Sequence, residues 1–119
     1  MTPRTAAQMR HAKTKGRDAE NAVVEWLKAN GRPHAERRRL TGSSDQGDIA
    51  GLPYVVVEVK NEKTITLPGY LAELEAEIRN AKADTGVVLV KRRGSTNVAD
   101  WYAVMPADRW LTLLTEAGR

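Results

Sequence analysis

The chain contains no cysteine, which excludes disulfides and thiolate metal ligands. Histidine is almost as scarce: His11 and His34 are the only two, too few for a zinc site of the usual kind. Any metal would therefore be held by oxygens, which points to magnesium or manganese. No apolar run approaches the ~20 residues of a membrane span. The basic start MTPRTAAQMRHAKTKGR lacks the apolar segment of a secretory signal, so an intracellular, cytoplasmic protein is expected. Aromatic residues make up 5% and cluster toward the C-terminus. Trp101, Tyr102 and Trp110 therefore read as core or subunit-interface residues rather than a platform for stacking bases.

What is present is an ordinary soluble mix of 41% hydrophobic and 29% charged residues in a chain of 119, enough for one domain with one core. The net charge of +4 is unevenly spread: residues 1–39 hold ten Lys/Arg against four acids, leaving about −2 for the remainder. A basic end on a nearly neutral body suggests a polyanion as partner. Residues 1–16 show no convincing periodicity and read as a flexible basic arm, or a helix extension that orders on a partner. Residues 17–119 read as the single folded domain.

Within that domain, Ala19, Ala22, Val23, Trp26 and Leu27 follow helical spacing from Arg17 to Asn30, and Gly31 and Pro33 end the helix. HAERRRL (34–40) reads as an exposed strand with Arg37 and Arg39 on one face and Arg38 on the other. TGSSDQG (41–47) is a polar loop. A short strand at Asp48–Ala50, a turn at Gly51-Leu52-Pro53 and a strand from Tyr54 to Lys60 follow. LPGYLAELEAEIRNAKAD is an amphipathic helix with Leu67, Leu71, Leu74, Ile78 and Ala81 as its stripe. GVVLVK (86–91) reads as a strand buried on both faces, WYAVM (101–105) as a further strand, and PADRWLTLLTEAG as a closing helix. The expected class is α/β, in the order α-β-β-β-α-β-β-α, with a central mixed sheet of about five strands.

The stretch GDIAGLPYVVVEVKN (47–61) places charge where a core hairpin is expected. Asp48 and Glu58 are symmetric about Pro53 and so lie opposite each other, with Cβ atoms roughly 5 Å apart. Side-chain alternation puts Lys60 on the face of Glu58. Two carboxylates at that separation repel, and a divalent cation is the natural remedy. The intervening strand adds the Val59 carbonyl as a further oxygen ligand. Lys60 beside such a metal would position or deprotonate a water, or stabilise negative charge developing on a phosphate. These are the parts of metal-assisted phosphodiester hydrolysis. A solvated edge hairpin with an ordinary Glu–Lys pair is the plain alternative. Three consecutive valines before Glu58 and an Asp across the turn argue against it.

With GD-x9-E-V-K between two helices, the sequence resembles the PD-(D/E)xK nuclease superfamily. Within it, the chain is most similar to the archaeal-type Holliday-junction resolvases, a branch that phages and prophages also carry. Lys15-Gly16-Arg17-Asp18-Ala19-Glu20 resembles the branch's KGR-x-x-E helix start, and RRRLTGSSDQGD its Arg-rich strand and Gly-Ser loop. The resemblance spans residues 15 to about 92, with Gly47 in place of the proline and Asn21 where a basic residue is often found. It implies a restriction-endonuclease-like core in which Glu20 joins Asp48, Glu58 and the Val59 carbonyl at the metal. Ser43 and Ser44 would bind or position a phosphate, and Arg39 would contact DNA with Arg37 and Arg38 beside it. Arg10, Lys13, Lys15 and Arg17 would extend the DNA contact, and Asn80 or Lys82 could approach the site.

Plainer readings stand beside these: helix-dipole compensation for Glu20, turn chemistry for Ser44, edge protection for the arginines. The expected function is a Mg2+-dependent endodeoxyribonuclease, Mn2+ substituting, that resolves four-way junctions as a homodimer. No small-molecule cofactor is expected, and if the chain is phage-encoded its place is the host cytoplasm. A restriction-like, repair or flap endonuclease of the same fold is the alternative, and a non-catalytic nucleic-acid-binding module a third reading.

Overall fold

A computed structural model describes residues 3–39 and 44–119. Helix α1 (Ala6–Ala29) opens on a capping box: the Thr5 hydroxyl accepts from the Gln8 amide, and the Gln8 side chain accepts from the Thr5 N–H. The helix thus takes in most of the stretch read from the sequence as an arm. Residues 6–16 carry no apolar stripe, but they are rich in Ala, Gln, Met, Arg and Lys. Once the second half of α1 is docked, each further turn adds hydrogen bonds without a new nucleation step. The buried residues of α1 (Ala19, Val23, Val24) all lie in its second half; the first half buries no residue, and Asn61 Nδ2 donates to its Lys15 carbonyl at 3.5 Å.

The remaining elements among the described residues are β1 (Glu36–Arg37), β2 (Ile49–Ala50), β3 (Val55–Lys60), α2 (Leu67–Ala81), β4 (Thr85–Val90), β5 (Tyr102–Val104) and α3 (Ala107–Glu116), with a 3-10 turn at Val98–Asp100. The order matches the expectation, and the fold is α/β. The five strands form one mixed sheet in the order β1-β2-β3-β4-β5. β3 and β4 are parallel, joined across α2, and the other neighbours are antiparallel. β1 is shorter than the strand expected at 34–40, because its partner β2 offers only two residues; Arg38 adds one more bond, its N–H to the Asp48 carbonyl at 2.8 Å.

Alternation along β3 divides the core. Val57 and Val59 pack with Ile49, Val23, Val24 and Trp101 on the α1 face. Val56 packs with Tyr70, Leu74, Ile78, Val88 and Val90 on the α2 face. Glu58 and Lys60, two and four residues on from Val56, therefore point toward α2. β4 is wholly buried at Val88 and Val90, and half-buried at Val87 and Leu89 beneath α1. α3 is clamped by Arg109, whose guanidinium forks onto both oxygens of Glu75 at 2.7 and 2.6 Å. Of the three C-terminal aromatics, Trp101 is core, whereas Tyr102 and Trp110 are exposed. Among the described residues no helix is long and apolar enough to cross a membrane.

α2 lies close over β4 because Gly86 has no side chain. A Cβ there would sit 2.8 Å from the Val56 carbonyl oxygen and 2.9 Å from Leu74 Cδ1. Gly86→Ala should destabilise the fold by about 1–3 kcal/mol, the usual range for overpacking a core. Denaturant unfolding measures this, and a variant as stable as wild type would show that α2 can shift at no cost.

Candidate metal centre and active site

Ile49 pairs with Val57, and Asp48, the residue just before β2, brings its carboxyl beside that of Glu58. Gly47 makes the approach possible. Its φ is +96°, and a Cβ would lie 2.8 Å from Val56 Cγ1. Proline, with φ fixed near −65°, cannot take this conformation. Asp48 then anchors twice on β3: its N–H donates to the Val57 carbonyl at 2.9 Å, and its Oδ2 accepts the Val59 N–H at 2.8 Å.

The Val59 carbonyl faces the same way. The Lys60 carbonyl is turned toward β4, where it accepts the Lys91 N–H at 2.8 Å. Successive peptides alternate, so the Val59 carbonyl shares the edge of Val57 and Asp48, beyond the point where β2 has ended. Asp48, Glu58 and the Val59 carbonyl thus offer oxygens at one strand end, a donor set that suits a hard divalent ion.

Glu58 is 3% exposed and lies under α2. There it meets three acids that the sequence reading missed. One carboxylate oxygen from each of Asp45, Glu58, Glu73 and Glu77 falls within 4.8 Å of the others, an acidic cluster able to hold a metal ion. Lys60 is the cation on hand: its Nζ is 2.8 Å from Glu73 Oε2, 3.6 Å from Glu58 Oε2 and 5.2 Å from the Tyr70 ring centre. Burial works against the Lys60 charge. The Glu73 hydrogen bond and the charges of Glu58, Glu73 and Glu62 outweigh it and hold the ammonium above its ordinary range. Lys60 is therefore a resident positive charge, suited to stabilising an anion and not to taking a proton from water.

Burial, then the hydrogen-bonded and charged Asp48, then Glu77, push the Glu58 carboxyl far above the usual carboxylate range. Glu77 rises for the same reason, burial first and Asp45 next, to about 8. Its side chain is 1% exposed and neither oxygen has a hydrogen-bond partner. Without metal, Glu77 keeps its proton in the fold and gives it up in the unfolded chain from about pH 4.5 upward. Folding then takes up a proton, so stability falls as pH rises from 4.5 to about 8. In EDTA the unfolding midpoint should drop between about pH 5 and about pH 8, and Glu77→Gln should lessen that drop, Glu58 supplying the rest. Parallel profiles for the two proteins would show that Glu77 does not titrate in this window.

Glu20 is brought in from α1. Its Oε1 is 3.0 Å from Arg37 Nε. Its carboxyl is raised by burial and by the Asp48 charge, against the pull of Arg37. Arg37 is thereby tied to a site acid, not left free for a phosphate. Arg38 is half-buried with its Nη2 3.5 Å from the Ile49 carbonyl. Arg39 and Ser44 are exposed. Ser43 lies outside the described residues. Asn80 does reach the site, donating to the Asp45 carbonyl at 2.8 Å, whereas Lys82 caps α2 in the left-handed conformation and is exposed. Arg10, Lys13 and Arg17 recur at helical spacing along the exposed first half of α1, on the side that carries Glu20; Lys15 falls on another side. The missed acids had one signal: Glu73 and Glu77, four apart on the helix, adjoin Tyr70, Leu74 and Ile78 on the rows that face the core. Compared with known protein families, curated protein sequences and solved structures, the chain has no match.

Proposed function

We propose that this chain is a divalent-cation-dependent endonuclease that hydrolyses phosphodiester bonds in branched DNA, with the four-way junction as its substrate. The observation that carries the reading is the Asp48 carboxyl beside that of Glu58 at the start of β2, with Lys60 paired to Glu58 on the same strand. The resemblance to junction resolvases supports the choice of substrate, and the basic side of α1 beside Glu20 supports a polyanion. A two-fold dimer would present two such sites to the two equivalent strands of a junction.

Asp48, Glu58 and the Val59 carbonyl would hold the ion, with Glu20 near enough to join directly or through water. Bound there, Mg2+ or Mn2+ would polarise the phosphate and lower the pKa of an attacking water. The orphaned Glu58 Oε1 fits this assignment, because an unpaired buried carboxylate oxygen is stable only with a proton or a cation beside it. Lys60, kept protonated by Glu73 and Glu58, would stabilise charge that builds on the phosphoryl oxygens. Arg39 and Ser44, both exposed, would steady the neighbouring phosphates.

Purified protein should nick a labelled immobile four-way junction in Mg2+ or Mn2+, and should be inert in EDTA. Ca2+ should support binding without turnover. Matched duplex, flap and single strand serve as comparisons. Undiminished cleavage in EDTA would sink the metal mechanism, and equal cutting of flap and junction would sink the choice of substrate.

A further inference from the structure

We propose that Asp45, Glu58, Glu73 and Glu77 bind a divalent cation of their own, on the α2 side of Glu58 and apart from the position at Asp48 and Val59. The proposal goes beyond the nuclease reading and stands whether or not DNA is cut. Its first support is the convergence of four carboxylate oxygens within 4.8 Å from three separate elements: the loop before β2, strand β3 and helix α2. Its second is independent. Glu77 is buried with both oxygens unpartnered, and Glu58 Oε1 is in the same condition. Buried carboxylates without partners are unstable in the fold unless something positive or a proton meets them.

Lys60 does not meet that need. It engages Glu58 through Oε2 and Glu73 through Oε2, which leaves the other Glu58 oxygen and the whole Glu77 carboxylate facing the gap. Four carboxylates against one ammonium leave a net charge of −3, which a divalent ion reduces to −1. Glu58, with one oxygen toward Lys60 and one orphaned, becomes the carboxylate shared by the two positions. Asp45 is held in place for the role. Its carbonyl accepts from Asn80 on α2 at 2.8 Å and its Oδ1 accepts the Gly47 N–H at 2.9 Å, so Asn80 acts as a positioning residue. Asp45 and Glu73 are exposed and give the ion its way in from solvent.

The spacing also selects the ion. Oxygens on opposite sides of magnesium stand about twice 2.0–2.1 Å apart, and those across calcium about twice 2.3–2.6 Å. Four oxygens within 4.8 Å of one another leave room for the larger ion without rearrangement, so the site should take Ca2+ ahead of Mg2+.

Mn2+ itself is the probe, titrated into full-length protein by calorimetry, with free Mn2+ counted by electron paramagnetic resonance. Wild type should bind two Mn2+ per chain. Asp48→Asn should leave the ion held by Glu77, with Ca2+ displacing it more readily than Mg2+. Glu77→Gln should weaken that ion at least about tenfold and leave the one at Asp48. Glu73→Gln and Asp45→Asn change exposed residues and carry the test if Glu77→Gln does not fold. Asn80→Ala should weaken the same ion and spare the other. A count and affinity unchanged by Glu77→Gln, Glu73→Gln and Asp45→Asn would overturn the site, as would a single wild-type ion abolished by Asp48→Asn alone. Failure of junction cleavage with the Glu77-dependent ion intact would count against the nuclease and not against this site.

Discussion

Asp48→Asn and Glu58→Gln should each lower junction cleavage by about 10³-fold or more, since each removes a charged ligand from the ion on which the chemistry would depend. Neither should unfold the protein. Asn at 48 retains an oxygen that can accept the Val59 N–H, now supplied by Asp48 Oδ2 at 2.8 Å. Gln at 58 removes a charge that burial, Asp48 and Glu77 all oppose, so the metal-free variant should unfold at a temperature no lower than wild type. DNA binding should persist, and could tighten, because a carboxylate beside phosphates is lost. Lys60→Ala behaves differently. It should cost a further factor of about 10²–10³ in rate by the same electrostatic reasoning, and it also leaves Glu58 and Glu73 without their cation, so stability should fall too. Single-turnover rates on the junction, read with thermal unfolding of each variant, separate these cases. An Asp48→Asn or Glu58→Gln protein within about tenfold of wild type would make that residue structural only.

The half of the site on the hairpin was legible because strand geometry is local arithmetic. Pro53 fixes the centre of a turn, strand pairing carries the symmetry outward to Asp48 and Glu58, and alternation puts Lys60 with Glu58. The register Ile49↔Val57 agrees with that count. The half on α2 was not legible in the same way. An amphipathic helix is read by its apolar stripe, and Glu73 and Glu77 sat beside that stripe as if they were solvated acids. Only tertiary packing brings Glu77 inward against Glu58, and nothing short of the fold places Asp45, from a loop of no pattern, against the same pair. Helix α1 shows the reverse. Residues 6–16 lack an apolar pattern and none of them is fully buried, but burial is not required once a cap and a docked second half supply the helix.

That projecting half of α1 leads to an expected loss of DNA affinity. Arg10, Lys13 and Arg17 are exposed and lie within one stretch of helix surface that runs toward Glu20. Replacing all three by alanine touches no buried contact and raises helix propensity slightly, so fold and thermal stability should hold. If each contacts a phosphate, each lost cation takes about 0.9 from the slope of log affinity against log salt. The triple variant should then bind roughly one to two orders of magnitude more weakly at low salt, and by less as salt is raised. Preference for junction over duplex should change little, because phosphate contacts position a protein on DNA without reading it. Arg37 supplies the comparison. It is tied to Glu20 at 3.0 Å, so Arg37→Ala should disturb the acid more than the salt slope. Binding of both DNAs across a salt series measures all of this. A triple variant with the wild-type slope would mean that the basic side of α1 does not touch DNA and faces some other partner, and sedimentation of that variant would then show whether the partner is a second copy of the chain.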